Sequence, residues 1–247
     1  MSIFTVTPNQ LKAALLFASK KDVRYYLNGV CLEATATHTR MIATDGHRAI
    51  IINLTHDADK APPVDAPVRY IVKREHVESA VKAFAKAQML DIECNALECN
   101  INGIAGALID GRFPEYERIV PRKVSGDPAT YNTAYLNDMA KARALLGVAY
   151  ADCVPVSQNG EGPALVKITD DALAVIMGVR GLPDMRAPEW FTGPVTAEPE
   201  ILGARAALDK IHEAMNGTEW NADTFEMIAH ALTAAGYRIK SSDAAAA

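Results

Sequence analysis

Long apolar runs, paired cysteines and an excess of basic charge are all missing from this chain of 247 residues. No apolar run approaches the roughly 18 residues that cross a bilayer, so an integral membrane protein is excluded. The opening MSIFTVTPNQ has no basic start followed by an apolar stretch, which argues against a secretory signal. The four cysteines, at 31, 94, 99 and 153, include no CxxC pair and show neither zinc spacing nor a disulfide framework. A reducing cytoplasm is the expected compartment, and neither a cofactor nor a metal is expected. Lys+Arg number 25 against 30 Asp+Glu, and through Leu182 the two balance at 20 each, so the last quarter holds 5 against 10 and the whole net charge of −5. Such a balance argues against a protein that coats nucleic acid along its whole surface, yet leaves room for a basic stripe on one face.

What is present is a repeat. Three stretches open with a short extended segment, at 3–6, 68–72 and 129–132, and each runs on into an amphipathic helix. Leu11, Ala14, Leu15 and Ala18 fall at i, i+3, i+4, i+7, after Thr7 as N-cap candidate and Pro8 at the first helical position. Val77, Ala80, Val81 and Phe84 repeat that spacing, and Leu136, Met139, Ala140 and Ala144 line a third helix that Gly147 would end. Strand-like runs follow each helix: 25–33, 40–44 and 48–54; then 90–94, 97–101 and 104–109; then 153–157, 165–169 and 173–179. A βαβββ unit is therefore expected three times, in an α+β chain.

The connections fit this division. Residues 57–67 (DADKAPPVDAP) and 121–128 (PRKVSGDP) read as exposed linkers. Beyond Gly181 the texture becomes proline-rich, and helices are expected at about 200–215 and 222–235, with Trp190, Trp220 and Phe225 supplying apolar surface and 241–247 frayed.

Cations gather on the helices. Arg74, Glu78, Lys82 and Lys86 form an i, i+4 ladder, Lys20, Lys21 and Arg24 follow the first helix, and Lys141 and Arg143 lie on the third. One reading is a solvated helix face; the other is a face that follows a phosphate backbone without reading bases.

Two motifs stand out. RYYLNG at 24–29 is followed by ATDGHR at 43–48, where Asp-Gly between strand-like runs signals a hairpin turn. Asp45 orienting His47 would be a general-base pair, but no nucleophile, metal triad or second carboxylate accompanies it, so a structural turn or peptide-binding rim is expected rather than an enzyme. The second motif, DGRFPEYERIVP at 110–121, is too apolar for a free linker and should pack extended along a surface, with Asp110 and Glu117 pairing locally with Arg112 and Arg118.

In this order the motifs resemble the bacterial DNA polymerase III beta subunit, the sliding clamp family, and ATYNTAYLNDM…ALAVIMGVR at 129–180 is similar to the end of that family's last domain. The resemblance implies a DNA clamp fold of repeated βαβββ half-domains, about three in this chain, plus a helical C-terminal tail. Its domains would be 1–122, similar to the family's middle domain; 123–182, half a domain; and 183–247, the proline-rich segment and tail. It also implies a non-enzymatic processivity factor that holds double-stranded DNA without sequence specificity. Lys20, Lys21, Arg24, Arg74, Lys82, Lys86, Lys141 and Arg143 would face the phosphates. A pocket of Leu27, Thr44, Gly46, His47, Arg48, Pro121, Val175 and Met177 would take short linear motifs of DNA polymerase and other clamp-binding proteins. Ala49 and Gly178 depart from the family, standing where a larger aliphatic and a proline are usual.

Nothing in the chain corresponds to the family's first domain or to the opening half of its last. Three half-domains against the twelve of a ring make four chains the matching number, and an unpaired half-domain implies self-association or cover from the tail. The tail suggests a phage or prophage origin. The alternative function is a clamp-like binding module that forms no ring and competes for, or recruits, the host's clamp-binding proteins.

Overall fold

In the computed structural model, residues 2–54 and 67–181 are described, together with a few helical positions between 226 and 233. The first linker, the proline-rich segment and most of the expected tail helices lie outside the described residues. The chain divides into two compact units, Met1–Asp184 and Met185–Ala247, and the three repeats lie in the first.

Strand β1 (Ser2–Val6) leads into helix α1 (Pro8–Leu15) through an N-terminus already visible in the sequence. The Thr7 hydroxyl accepts the Gln10 N–H at 3.1 Å while the Gln10 side chain accepts the Thr7 N–H at 2.8 Å, a reciprocal capping box. Pro8 fills the first turn, where its missing N–H costs nothing. Strands β2 (Gly29–Ala34), β3 (Thr39–Thr44) and β4 (Arg48–Leu54) complete the first repeat. The second repeat is β5 (Val68–Lys73), α2 (Arg74–Ala83), β6 (Leu90–Cys94), β7 (Glu98–Ile101) and β8 (Ile104–Ala107). The third holds α3 (Thr133–Leu145), β9 (Pro163–Lys167) and β10 (Ala172–Met177). Helix α3 ends in a Schellman turn: Gly147 takes φ +84°, its N–H reaches the Ala144 carbonyl, and Val148 N–H reaches that of Arg143.

Several expectations need correcting. Residues 25–27 form a 3-10 turn rather than a strand start, because the Leu27 and Asn28 N–H groups turn back onto the Arg24 and Tyr25 carbonyls. Helix α2 stops at Ala83, so Lys86 lies past its end. Residues 129–132 and 153–157 contribute only single bridges, Thr130 to Val179 and Val156 to Val166. The third repeat thus has two full strands.

The strands form two antiparallel sheets, ordered β1-β6-β7-β8 and β5-β2-β3-β4-β10-β9. The first two repeats exchange their opening strands: β1 pairs with β6 of the second, and β5 with β2 of the first. Neither sheet is complete without the other repeat. The third repeat joins by laying its last strand against β4, with Val175 opposite Ala49 and Ile176 opposite Arg48.

Alternation along the strands sorts side chains onto two faces. Ile50, Ile52, Ala174 and Ile176 turn to the face covered by the helices, joining Leu11, Phe17, Val77 and Met139. Cys31, Ile42, Ile51 and Ile71 turn to the opposite face, where Phe113 and Tyr116 cover them. The 110–121 segment is therefore a strap across the outer face, as its apolar content demanded, with a short 3-10 turn at Tyr116–Ile119. Phe113 is only 2% exposed, and its burial contributes about 2–3 kcal/mol.

Candidate functional site

The ATDGHR turn is built from its own polar groups. The Asp45 Oδ1 accepts the N–H groups of His47 and Arg48 at 2.9 and 3.1 Å. The Thr44 hydroxyl donates to the Arg48 carbonyl at 2.7 Å and accepts the Gly46 N–H at 3.0 Å. Gly46 adopts φ +89°, and a Cβ there would lie 2.7 Å from the Arg24 guanidinium. The left-handed backbone favours glycine there, whereas the arginine is a flexible side chain that can move aside. Asp45 holds backbone rather than the His47 ring, so no acid–base pair forms; His47 instead stacks on Tyr135 of α3, ring centroids 6.3 Å apart.

Arg48 is more enclosed than a rim residue would be. Its Nε donates to Asp45 at 3.0 Å, one Nη to Asp138 at 2.9 Å and the other to the Leu16 carbonyl at 2.9 Å. The guanidinium also lies 4.3 Å from the Tyr135 ring centroid and 5.2 Å from that of Phe17. With 8% of its side chain exposed, Arg48 ties the turn to both α1 and α3. Burial opposes charge on Asp138, but Lys141 and Arg48 outweigh it and hold that carboxyl below the usual range.

Of the expected pocket residues, the structure gathers Thr44, Gly46, His47, Arg48, Val175 and Met177 at one end of the β4–β10 pair, where Met177 N–H donates to the His47 carbonyl at 3.0 Å. Leu27 is buried and reaches this end through Arg24, whose carbonyl accepts its N–H and whose guanidinium donates to the Asp45 carbonyl. Met177 is 38% exposed and offers the apolar surface there. Pro121 is the last residue of the strap. Its neighbours Val120 and Arg122 line a cavity of about 720 Å³ on the outer face, floored by Ile51, Leu165 and Leu173 with Arg40 at the rim. The sequence reading missed this cavity. The clue was the turn of Ile51 away from Ile50 and Ile52, beneath a strap too apolar to be free.

Beside the cavity lies a buried charge that the sequence did not single out. Glu33 is 1% exposed and accepts hydrogen bonds from the Tyr116 hydroxyl at 2.6 Å and Arg69 Nε at 2.6 Å, with His38 at 3.3 Å. Burial pushes its carboxyl up, but Tyr116, Arg69 and His38 prevail and hold it below the ordinary glutamate range. Burial, with Glu33, pushes the Tyr116 phenol up. The strap's ion pairs also differ from expectation. Arg112 and Arg118 both reach Glu115, while Glu117 reaches across to Arg69 at 3.0 Å, a partner on the sheet that no local spacing discloses.

The expected DNA-facing cations split. Lys82, Lys86 and Lys141 are exposed, and Lys141 is braced by Asp138 at 2.9 Å. Lys20 and Lys21 are exposed beside a cavity that reaches Lys73 and Tyr25. Arg24 is paired with Asp22 at 2.7 Å, which holds that carboxyl at about 2, and leans on the ATDGHR turn. Arg74 and Arg143 are corrections. Arg74 donates to the Leu15 and Ala18 carbonyls and to Glu78, capping the end of α1. Arg143, 9% exposed, donates to the Lys167 and Ile168 carbonyls. Their charges satisfy backbone oxygens that the end of α1 and the β9 turn leave open.

Exchanged βαβββ repeats with helices on one face and sheets on the other define the DNA clamp fold. Sliding-clamp crystal structures share it: one from Pseudomonas aeruginosa superposes with TM-score 0.53 at 21% identity, over 73% of this chain and 67% of that one. One from Caulobacter crescentus gives 0.54 at 19%, over 73% and 66%. Residues 7–115 match the DNA polymerase III beta subunit, central domain. The beta sliding clamp of Vibrio cholerae is 36% identical over 112 residues, 43% of this chain and 29% of that protein. Those of Pseudomonas aeruginosa and Escherichia coli are 33% and 30% identical, covering 42% and 45% of this chain and 29% and 31% of theirs. The chain thus spans under a third of the curated relatives it matches.

Proposed function

We propose that this chain is a sliding-clamp-like processivity factor, non-enzymatic, that surrounds double-stranded DNA as a closed assembly of its own copies and binds replication proteins through short peptides. The observation that carries the reading is the pairing of β10 with β4. Each is the last strand of its repeat, and their pairing extends one continuous sheet from repeat to repeat while α1 lies between α2 and α3 on the other face.

Two features remain open for a second copy. Among the described residues β8, the last strand of the second repeat, pairs on one side only along its length, with β7. Among the described residues the third repeat has no strand-exchanging partner such as the first two supply each other. Pairing β8 with β8 of another copy, and a third repeat with a third repeat, makes two self-complementary interfaces. Used alternately, they close after four chains if each supplies a quarter turn. The exposed lysines Lys82, Lys86 and Lys141 would meet phosphates diffusely and permit sliding. The peptide site would centre on Met177, with His47, Thr44, Gly46 and buried Leu27 and Val175 behind it.

The test is DNA-dependent processivity of a polymerase that carries a clamp-binding peptide. Longer products with this protein than without are expected on primed DNA. No lengthening, together with retained binding of the isolated peptide, would support the competing view of a module that recruits partners without a ring. Met177→Asp should abolish peptide binding, whereas Lys82→Glu should leave it intact.

A further inference from the structure

The β6–β7 hairpin carries two cysteines outside the site described above. Cys94 stands directly opposite Cys99, and both are buried. The adjacent Asn95–Glu98 pair is hydrogen-bonded, Asn95 N–H to the Glu98 carbonyl at 3.0 Å. Pairs alternate along an antiparallel ladder, so Cys94 and Cys99 occupy a non-hydrogen-bonded position, where Cα atoms approach to about 4.5 Å. That lies within the roughly 4.4–6.8 Å that a disulfide accepts.

His76 of α2 completes the group. Its Nε2 donates to the Ile104 carbonyl at 2.9 Å, which leaves Nδ1 as the acceptor in the neutral ring, 3.5 Å from the Cys99 sulfur. Glycine at 106 makes this possible, because a Cβ there would overlap the imidazole. The hydrogen bond from Cys94 pulls the Cys99 thiol down against its burial, and the same contact, with burial, pushes Cys94 up. Both cysteines, with Glu93, Asn95, Glu98 and Asn100, border a cavity of about 230 Å³ at the hairpin. Cys31 has no such arrangement and is simply buried, and Cys153 is exposed.

We propose that Cys99 and Cys94 form a peroxide-reactive dithiol in which Cys99 is the nucleophile, His76 its base and Cys94 the resolving thiol. Cys99 passes its proton to His76 Nδ1, and its sulfur attacks a hydrogen peroxide oxygen. The S–O bond forms, the O–O bond breaks, and the departing hydroxide takes the proton from His76 as water. Cys94 sulfur then attacks the Cys99 sulfenic acid; the S–S bond forms, the S–O bond breaks, and hydroxide leaves with the Cys94 proton. Two thiols lose two electrons and one peroxide becomes two waters. Oxidation also removes the thiol proton offered to His76, one of the ties between α2 and its sheet.

The full chain is treated with a modest excess of hydrogen peroxide, then cleaved after Glu98 without reductant and analysed by mass spectrometry. A Cys94–Cys99 linkage, about 2 Da lighter than the dithiol pair, is expected in the folded wild type. Cys94→Ser should stop at a Cys99 sulfenic acid that dimedone traps, and His76→Gln should slow the reaction at least about tenfold. Oxidation of Cys153 with Cys94 and Cys99 left as thiols, or linkage only after unfolding, would overturn the proposal. The wild-type map decides this even where a variant fails to fold.

Discussion

Glu33 shows how a single carboxylate fixes the strap. Its two oxygens are taken by groups from three directions: Arg69 on β5, His38 in the β2–β3 turn and Tyr116 from the strap. A buried charge left without one of these partners carries the full cost of its desolvation. Tyr116→Phe is therefore expected to lower stability by about 1–3 kcal/mol, read from urea denaturation midpoints. Because the folded carboxyl lies below its ordinary value, the stability it contributes is present above the unfolded glutamate range and lost as pH falls through the folded value. Acid titration of unfolding should show that loss, and Tyr116→Phe should flatten it. A pH-independent difference between the two proteins would contradict this account of Glu33. None of it was legible in the sequence, since Glu33 and Tyr116 are 83 residues apart. Arg48 was legible as part of a motif but not as a clasp, because its partners Leu16 and Asp138 belong to two different helices.

Elements were read more accurately than their surroundings. The cap at Thr7-Pro8, the hairpin at Asp45-Gly46 and the glycine stop after α3 depend on neighbours within a few residues, and each is found in the structure. The bridges at 129–132 and 153–157 depend instead on which strand offers an edge, which periodicity does not encode. Helical cations divide for the same reason. Spacing put Arg74 on a ladder with Lys82, but the α1 carbonyls it satisfies come from another repeat. Lys82→Glu with Lys141→Glu should weaken DNA binding and reduce the slope of log K against log salt by about two. Arg74→Ala should leave that slope unchanged and lower the unfolding midpoint. A slope altered by Arg74→Ala and not by the lysine pair would contradict this division. Strand exchange makes a further demand. Phe4 on β1 is 2% exposed in a sheet completed by the second repeat, so Phe4→Ala should cost about 3–5 kcal/mol. Both repeats should still melt together, with coincident transitions by circular dichroism and tyrosine fluorescence; separate transitions would mean that the exchange does not couple them.

At the scale of the whole molecule, the repeat was the most informative property of the sequence. It is a pattern of alternating periods rather than of identities, and it survives where the residues themselves differ. What it did not disclose is that the first and third repeats are joined last strand to last strand, which leaves β8 and the third repeat as the places where copies would meet in the proposed assembly. Disrupting β8 with Ala105→Pro removes a backbone donor and should reduce the assembly without unfolding the chain. The claim at the centre is that the chain closes on itself around DNA. Light scattering across a range of concentrations tests it most directly. A stable species near four times 26.6 kDa is expected for the wild type, falling to a smaller one in Ala105→Pro. A monomer or dimer at every concentration would contradict encirclement and leave only the peptide-binding module.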